Sequence, residues 1–382
     1  MNKIVLIIIM ALSVACNKVE KHAPGTSPDL LNKTIVNSEK LNYYIDTVAT
    51  GLKNAWGLTF LPNNDLLVTE RDGEIRIIRD GQLLDQMVNG VPEVFANGQG
   101  GLFEIELHPD YENNGWLYII YAAPGEGGGN TAITRARLSG FDLIDQKVIF
   151  QAQPYFDGGN HFGGRMSFDS EGYLYFSVGE RGRKENAQML TNHCGKILRI
   201  KDDGSIPDDN PFINSPGAKP EIYTFGNRNP QGMDVHPVTG KIWTHEHGPM
   251  GGDEINIVKA GTNYGWPEVT YGKNYDGTII SDFTTKPEYS EPLHYWLPSI
   301  APCGMSFVTG DLYEPWQGNI LVGSLKFSYI ARVELDGEKV VHEEKILENF
   351  GRMRSITQGP DGYIYVGTEG PGMVIRIVPV GS

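Results

Sequence analysis

Cysteine is scarce in this chain: three in 382 residues, at positions 16, 194 and 303. No disulfide framework can be built from so few. Cys194 and Cys303 could pair in an oxidising compartment or stand as two unpaired, half-buried thiols, and both readings remain open. Basic clusters are missing too. The formal charge is −15, from 32 Lys+Arg against 47 Asp+Glu, and no Lys/Arg face of the kind a nucleic acid requires is visible. The acidic balance reads as a solubility feature. Helical periodicity is nearly absent, while 47 glycines suit short strands and turns. After the first fifteen residues there is no long apolar run, so nothing in the mature chain is expected to span a bilayer.

The one apolar run lies at the amino terminus. Lys3 supplies positive charge, Ile4 to Leu12 an apolar stretch, and Ser13 and Ala15 small residues before Cys16. This resembles a bacterial lipoprotein signal, with cleavage before Cys16 and acylation of its thiol. An ordinary secretory signal is the alternative. Either predicts export, and the first predicts a lipid anchor in the periplasm or at the outer membrane. Residues 16–40 are polar and read as a flexible tether, leaving 41–382 as a single domain.

What the chain has in abundance is one phrase written six times. A turn with Gly, Asn or Asp leads into a short aromatic or aliphatic strand: Asp65 to Glu70, Gly115 to Ile120, Gly172 to Ser177, Gly240 to Trp243, Gly318 to Gly323 and Gly362 to Gly367. A second strand-like phrase precedes most copies, such as Gly57 to Phe60, Met166 to Phe168 and Gly304 to Phe307. Two strands joined by such a turn form a hairpin. A lone hairpin cannot bury its apolar face, so repeated hairpins must pack on one another. The expected fold is all-β: a six-bladed β-propeller of four-stranded antiparallel blades. In a ring of blades, loops distant in sequence converge on one face.

Several loops carry chemistry. His161 sits between the pairs Gly158-Gly159 and Gly163-Gly164, directly before a strand. Such backbone can approach a ligand closely, and a neutral imidazole there can act as a general base. Arg228, Lys326, Arg352 and Arg354 fall in loops or strand ends of different repeats. Arg352 and Arg354 alternate around Met353, so an extended segment points them the same way. Brought together, these cations would repel unless a polyanion lay among them; a flat polycarboxylate suits guanidinium groups. The alternative is that each pairs with a surface acid. His245 and His247 raise zinc, but no third Cys or His converges. Gly248-Pro249 followed by Asp253 and Glu254 suits calcium, a hard cation that accepts carbonyl oxygens, or else forms a solvated acidic turn. The Gly-rich stretch 125–129 lacks the Lys-Ser/Thr ending of a phosphate loop. The many Tyr and Trp residues at alternating strand positions read as packing residues.

Taken in order, these phrases resemble the soluble quinoprotein sugar dehydrogenases, the glucose/sorbosone dehydrogenase family, and within it the aldose sugar dehydrogenase branch. The motifs are Gly98-Gln99-Gly100-Gly101, Asn160-His161 with Gly163-Gly164-Arg165, Gly226 to Gly232, Gly248-Pro249 through Asn256, Asn263 to Pro267, Ile300 to Pro302 with Gly304-Met305, and the Arg352/Arg354 pair. The similarity runs from about Leu41 to Pro379, nearly the whole mature chain. The resemblance implies a six-bladed propeller holding pyrroloquinoline quinone (PQQ) and calcium. It implies His161 as general base, and Gln99, Arg228, Asn229, Tyr275, Lys326, Arg352 and Arg354 as PQQ contacts. Asn160 and Gln99 would meet the sugar. The carbonyls of Gly248 and Pro249 would bind the calcium beside the cofactor; Glu254 and the Tyr264 carbonyl would bind a second. The implied reaction takes an aldose C1 hydroxyl to a lactone, with an external quinone or cytochrome as electron acceptor. Asn160 departs from the aspartate of the best-known glucose enzymes, which weakens glucose itself as the substrate. His247 stands where relatives often have glutamine. Two other readings compete: a non-catalytic propeller that binds carbohydrate or protein, and a calcium-dependent propeller lactonase or other hydrolase. Neither requires His161, Lys326, Arg352 and Arg354 together.

Overall fold

Strands joined by tight turns run through residues 34–381, the span that the computed structural model describes. The signal segment, Cys16 and most of the tether lie outside the described residues. The first strands are β1 (Ile35–Val36), β2 (Tyr43–Phe60), β3 (Leu66–Glu70), β4 (Glu74–Arg79) and β5 (Gln82–Leu83). Next come β6 (Leu102–Leu107), β7 (Trp116–Gly125), β8 (Gly128–Ser139) and β9 (Asp142–Gln151). They are followed by β10 (Met166–Phe168), β11 (Leu174–Val178), β12 (Lys196–Ile200) and β13 (Ile222–Phe225). Then β14 (Pro230–Val235), β15 (Ile242–Glu246), β16 (Asp253–Ile257) and β17 (His294–Trp296) form a further set. The last are β18 (Pro302–Phe307), β19 (Ile320–Ser324), β20 (Ile330–Asp336), β21 (Lys339–Ile346), β22 (Arg352–Gln358) and β23 (Ile364–Pro379).

Strands β6 to β9, β10 to β13, β14 to β17 and β18 to β21 form four antiparallel sheets of consecutive strands. The fifth sheet runs β22-β23-β2-β3-β4-β5, with β1 paired to β2. Two long strands build it. Ile364 to Glu369 of β23 pair with β22, and the rest of β23 pairs with β2, so that Tyr43 lies opposite Pro379. The remainder of β2, Ala55 to Phe60, pairs with β3. The long strands β2 and β23 are thereby hydrogen-bonded into one sheet.

Each of the six repeated phrases becomes the second strand of a hairpin, in β3, β7, β11, β15, β19 and the first part of β23. Turn chemistry explains why. Before β11, Asp169 Oδ1 accepts the N–H groups of Glu171 and Tyr173 at 3.0 and 2.9 Å, and Gly172 adopts φ +82°, a conformation that favours glycine. Strands β3, β11, β15 and β19 are buried along their whole length.

The core is divided among neighbouring sheets. Leu67, Ile75, Leu102 and Ile119 join β2–β5 to β6–β9; Tyr118, Phe150, Phe176 and Leu198 join the latter to β10–β13. Tyr175, Ile197, Met233 and Ile242 continue the series, as do Trp243, Ile255, Phe307 and Val333. Trp316, Ile356 and Ile377 reach β22 and β23, and Leu58, Val68, Tyr365 and Val374 return to β2 and β3. Fully burying one such side chain is worth about 1.5–3 kcal/mol. First strands touch in the same order, β2 to β6, β10, β14, β18, β22 and back to β2. Sheets packed face to face around a common centre make a β-propeller. Among the described residues, helix is confined to Tyr111–Asn114 and the 3₁₀ turns Lys184–Gln188 and Glu314–Trp316; none of it is long and apolar enough to cross a membrane.

The docked chain begins earlier than the expected boundary at Leu41. Ile35 and Val36 pair with Tyr44 and Tyr43, Glu39 lies 2.6 Å from His342 and 3.6 Å from the buried Arg332, and Lys40 lies 2.6 Å from Glu334. Strand pairing and ion pairs hold residues 35–40 against the domain, so these six residues are not part of a tether.

Strand direction alternates within each sheet. Loops that lead into first strands therefore emerge at the same face as loops that join second to third strands. Those loops and the adjoining strand ends carry the candidate residues, except Tyr264 and Tyr275, which lie in the long β16–β17 connection.

Candidate cofactor and catalytic site

A buried glutamate marks the end of the second strand at four places on this face: Glu70, Glu180, Glu246 and Glu369, exposed by 0, 2, 5 and 8%. A buried carboxylate must find donors. Three of these find them in the segment that opens their own sheet, and the fourth, Glu180, faces that segment. Glu70 accepts the Lys53 N–H. Glu246 accepts the N–H groups of Arg228 and Asn229 at 2.5 and 3.2 Å and the Asn227 amide at 2.8 Å. Glu369 accepts Arg354 Nε at 2.9 Å and Arg352 Nε at 3.2 Å. Glu180 Oε1 lies 2.9 Å from His161 Nδ1. These four clamps place the chemistry, and sequence reasoning missed them. The available signal was the recurrence of Glu shortly before Gly after each of these strands: Glu70 to Gly73, Glu180 to Gly182, Glu246 to Gly248 and Glu369-Gly370.

His161 is held in the left-handed region, φ +52°, which disfavours a side chain with a Cβ. Several contacts enforce it. Gln99 Oε1 accepts the His161 N–H at 3.0 Å, and Gln99 N–H donates to Gly159 O at 2.7 Å. The Arg181 guanidinium donates to the carbonyls of Gly158 at 2.6 Å, Gly129 at 3.2 Å and Asn160, and lies 3.4 Å over the Phe162 ring. Three of the four flanking glycines pack tightly on protein, Gly159 against Asn97 and Gly98, while Gly158 faces open space. A Cβ on Gly163 would meet Ser177 O at 2.6 Å, and one on Gly164 would meet the Phe103 ring at 2.7 Å. Glycine is therefore required there for the loop to close on the core.

Burial holds the imidazole below its ordinary pKa, Glu180 opposes that, and Arg228 and Arg181 reinforce it. His161 is accordingly neutral at pH 7. The Nδ1–Glu180 approach is short, but its angle is outside hydrogen-bond geometry. With Nδ1 facing the carboxylate, Nε2 is the nitrogen available for proton transfer. Asn160 beside it is exposed.

The adjoining cavity of ≈ 260 Å³ is lined by Trp56, Arg71, Gln99, Gln231, His247, Ala301, Leu325, Arg352, Arg354 and Glu369. Arg352 and Arg354 do share one target, as their spacing predicts, and it is Glu369 rather than two surface acids. Burial would raise Glu369, but Arg354 and Arg352 outweigh it and hold the carboxyl low. Arg352 also donates to Leu325 O at 3.2 Å, and Arg354 contacts Gln231 Oε1 and Cys303 Sγ, each at 3.3 Å. Behind them the buried Arg165 stacks 4.0 Å over Trp56 and donates to Arg354 O at 2.7 Å. Lys326 is exposed at the rim next to Leu325, its Nζ 5.0 Å from the Phe327 ring. Cys303 and Cys194 are both buried free thiols.

Arg228 links the histidine loop to the Gly248-Pro249 turn. Its Nη1 donates to Gly248 O at 2.9 Å and His247 O at 3.1 Å. Asn229 Oδ1 accepts the Gly163 N–H at 3.0 Å. Arg228 Nε and Asn229 Nδ2 are buried donors that meet no acceptor among the described residues. Gly248 N–H donates to Asp253 at 2.8 Å, and Asp253 also accepts Ile300 and Ala301 N–H at 2.7 and 2.9 Å. Asp253 thus pins the turn to the loop before β18. His245 and His247 direct Nε2 at Gly304 O and Pro302 O, at 3.2 and 2.7 Å. Glu254 lies directly opposite Glu246 in the β15–β16 pair, and burial together with Glu246 pushes it up to about 8. Both acids, Gly226 and Tyr264 border a void of ≈ 10 Å³, about the room one water or small ion needs. Tyr275 is 76% exposed; its loop is tied to the turn by Met250 N–H donating to Lys273 O at 3.0 Å.

Fold and site define a β-propeller whose loops set a half-buried histidine beside a cation-rich cavity. Known proteins place it further. The family model for Glucose / Sorbosone dehydrogenase matches residues 52–376. Aldose sugar dehydrogenase YliI of Escherichia coli (strain K12) is 41% identical over 345 residues, covering 88% of this chain and 92% of that one. The crystal structure of the soluble aldose sugar dehydrogenase from Escherichia coli in the apo-form superposes with TM-score 0.86 at 39% identity, covering 88% of this chain and 99% of that one. The PQQ-bound form of aldose sugar dehydrogenase from Streptomyces coelicolor gives TM-score 0.72 at 28% identity, covering 88% and 97%. This chain belongs to the glucose/sorbosone dehydrogenase family.

Proposed function

We propose that this protein is a PQQ- and calcium-dependent dehydrogenase that oxidises the C1 hydroxyl of aldose sugars to lactones. Its propeller has six blades: the long sheet counts as two, β2 with β3–β5 and β22 with β23 and β2, joined by the Tyr43–Pro379 pairing. The observation that carries the reading is the charge of the cavity. Arg71, Arg352 and Arg354 line it against the single carboxylate of Glu369. Guanidinium groups cannot shed their protons, so an anion is needed among them. A planar tricarboxylate fits, and the orphan donors Arg228 Nε and Asn229 Nδ2 supply further hydrogen bonds to it. Lys326 beside Leu325 and the exposed Tyr275, whose loop is tied to the turn, are the remaining contacts this reading assigns.

Calcium fits the carbonyls of Gly248 and Pro249. The turn is a cradle of oxygens: a Cβ on Gly248 would lie 2.3 Å from both Gly251 O and Gly252 O. Glu254, with Glu246 opposite and the Tyr264 carbonyl nearby, fits a second hard cation, which would offset two buried carboxylates.

PQQ, when bound, supplies a two-electron acceptor for hydride. The protein's part is proton transfer and orientation. His161 Nε2 takes the C1 hydroxyl proton as the C1 hydrogen departs with its electron pair, and the C1–O bond becomes the lactone carbonyl. Glu180 orients the ring and stabilises the imidazolium that forms. Gln99 holds the loop, and the Asn160 amide offers a donor and an acceptor to sugar hydroxyls. An external quinone or cytochrome removes the electrons. On its amino-terminal sequence we also propose that the protein is exported and carries a lipid on Cys16, an ordinary secretory signal being the alternative. Reconstitution with PQQ and calcium, followed by an aldose panel with an artificial acceptor, tests it: sugar-dependent dye reduction is expected. Lactone hydrolysis without the quinone, or no turnover of any aldose, would refute it.

A further inference from the structure

Arg71 lines the cavity but is not among the family positions matched above. It occupies a repeated place in the fold, directly after a strand-end glutamate. Three such pairs occur: Glu70-Arg71, Glu180-Arg181 and Glu246-His247. Two of the three side chains already have carbonyl partners. Arg181 donates to the Gly158 and Gly129 carbonyls at 2.6 and 3.2 Å, and His247 Nε2 lies 2.7 Å from Pro302 O. Arg71 differs. Among the described residues its guanidinium meets only its neighbour Asp72, 3.8 Å from Nε, with the two side chains 31 and 52% exposed. A surface pair of that length contributes little.

Its backbone, by contrast, is fixed. Arg71 N–H donates to Asn54 O at 3.1 Å, and Arg71 O accepts Leu102 N–H at 2.8 Å. Gly101 makes room for the side chain: a Cβ there would lie 2.0 Å from Arg71 O and 2.7 Å from Arg71 Cγ. The one carboxylate in the cavity wall has both oxygens engaged by Arg352 and Arg354. From a fixed backbone, Arg71 thus presents a guanidinium on the cavity wall whose charge the wall does not neutralise.

We infer that Arg71 is a further cofactor-binding residue, whose guanidinium receives a carboxylate of the bound tricarboxylate. This rests on the PQQ reading above. An Arg–carboxylate contact is charge-assisted and can be bidentate, so its loss is expected to weaken binding about tenfold or more.

The test is equilibrium dialysis of the full chain with PQQ in excess calcium, read by PQQ absorbance without any sugar. Arg71→Ala raises the Kd about tenfold or more, and Arg71→Lys, which keeps charge but loses the fork, falls between. Asp72→Asn leaves the Kd at or below that of the wild type. Arg71→Gln, which retains a stem, carries the same expectation should Arg71→Ala lose its thermal transition. Wild-type Kd in Arg71→Ala or Arg71→Gln would overturn the inference while leaving the cofactor reading intact. Failure of the wild-type protein to bind PQQ would overturn both.

Discussion

Two cavities lie in succession along the same inner strands, and they carry opposite charge. The first is walled by Trp56, Gln231 and Arg354, with Arg71 and Arg352. The second, ≈ 140 Å³, follows a few residues further along those strands at Leu58, Met233 and Ser355, and holds Glu104, Glu106 and Asp234. Arg165 stands between them, paired with Glu104 and bonded to Arg354 O. The acidic cavity can relieve its own repulsion by taking up protons. Burial, with Glu104 and Asp234, drives Glu106 well above the carboxylate range, and burial lifts Asp234 to about 6. The cationic cavity has no such outlet, because arginine stays charged at any relevant pH. One end of the channel is self-sufficient, and the other requires an anionic ligand.

That contrast can be broken or sharpened by mutation. The largest effect is expected at the base beside the cationic cavity. His161→Ala lowers turnover about a hundredfold or more while PQQ binding, measured by dialysis, stays nearly intact; full turnover in this variant would reject His161 as the base. Next comes the combined Arg352→Ala and Arg354→Ala change, which weakens PQQ binding by about a hundredfold. The matching neutralisation in the acidic cavity, Glu106→Gln, leaves PQQ affinity within about twofold. A comparable loss in both variants would erase the distinction between the two ends. Glu180→Gln is expected to cost several-fold in turnover and to move the acid limb of the pH–rate profile downward. The sign follows from the carboxylate, which raises the His161 pKa: without it the imidazole loses its proton at lower pH and is a weaker base. A limb that moved upward would contradict the pairing. The smallest effect is at Asp234. Its proton is held more tightly in the folded chain, at about 6, than in the unfolded chain, at about 3.9. Its contribution to stability is therefore greatest at low pH and is lost as pH rises through about 6. Asp234→Asn should flatten the pH dependence of Tm between about pH 4 and 6, read by thermal unfolding.

The hairpins were legible because they are local. Turn residues and alternating strands such as Gly172 to Ser177 specify their own conformation, and their repetition announced stacked sheets. Arg352 and Arg354 were legible for the same reason, since alternation alone puts them on one side of a strand. Glu180 and Glu369 were not. Their roles depend on which loop the fold brings opposite, and no local pattern shows that Glu369 meets Arg352 and Arg354 or that Glu180 meets His161. Arg71 was overlooked because one arginine after a strand says nothing about the cavity it lines. The boundary at residue 40 failed similarly: polar composition suggested a tether, but Glu39 and Lys40 find Arg332, His342 and Glu334 from the far end of the chain. The glycines around His161 were recognised as special, but no local pattern showed that Gly163 and Gly164 close on Ser177 and Phe103.

The most direct test of the central claim is a spectral titration of the calcium-loaded protein with PQQ, followed by addition of an aldose. One equivalent of PQQ per chain, bound saturably and converted to the reduced spectrum by the sugar, is the predicted result. A cavity that takes up no PQQ under these conditions would contradict the account.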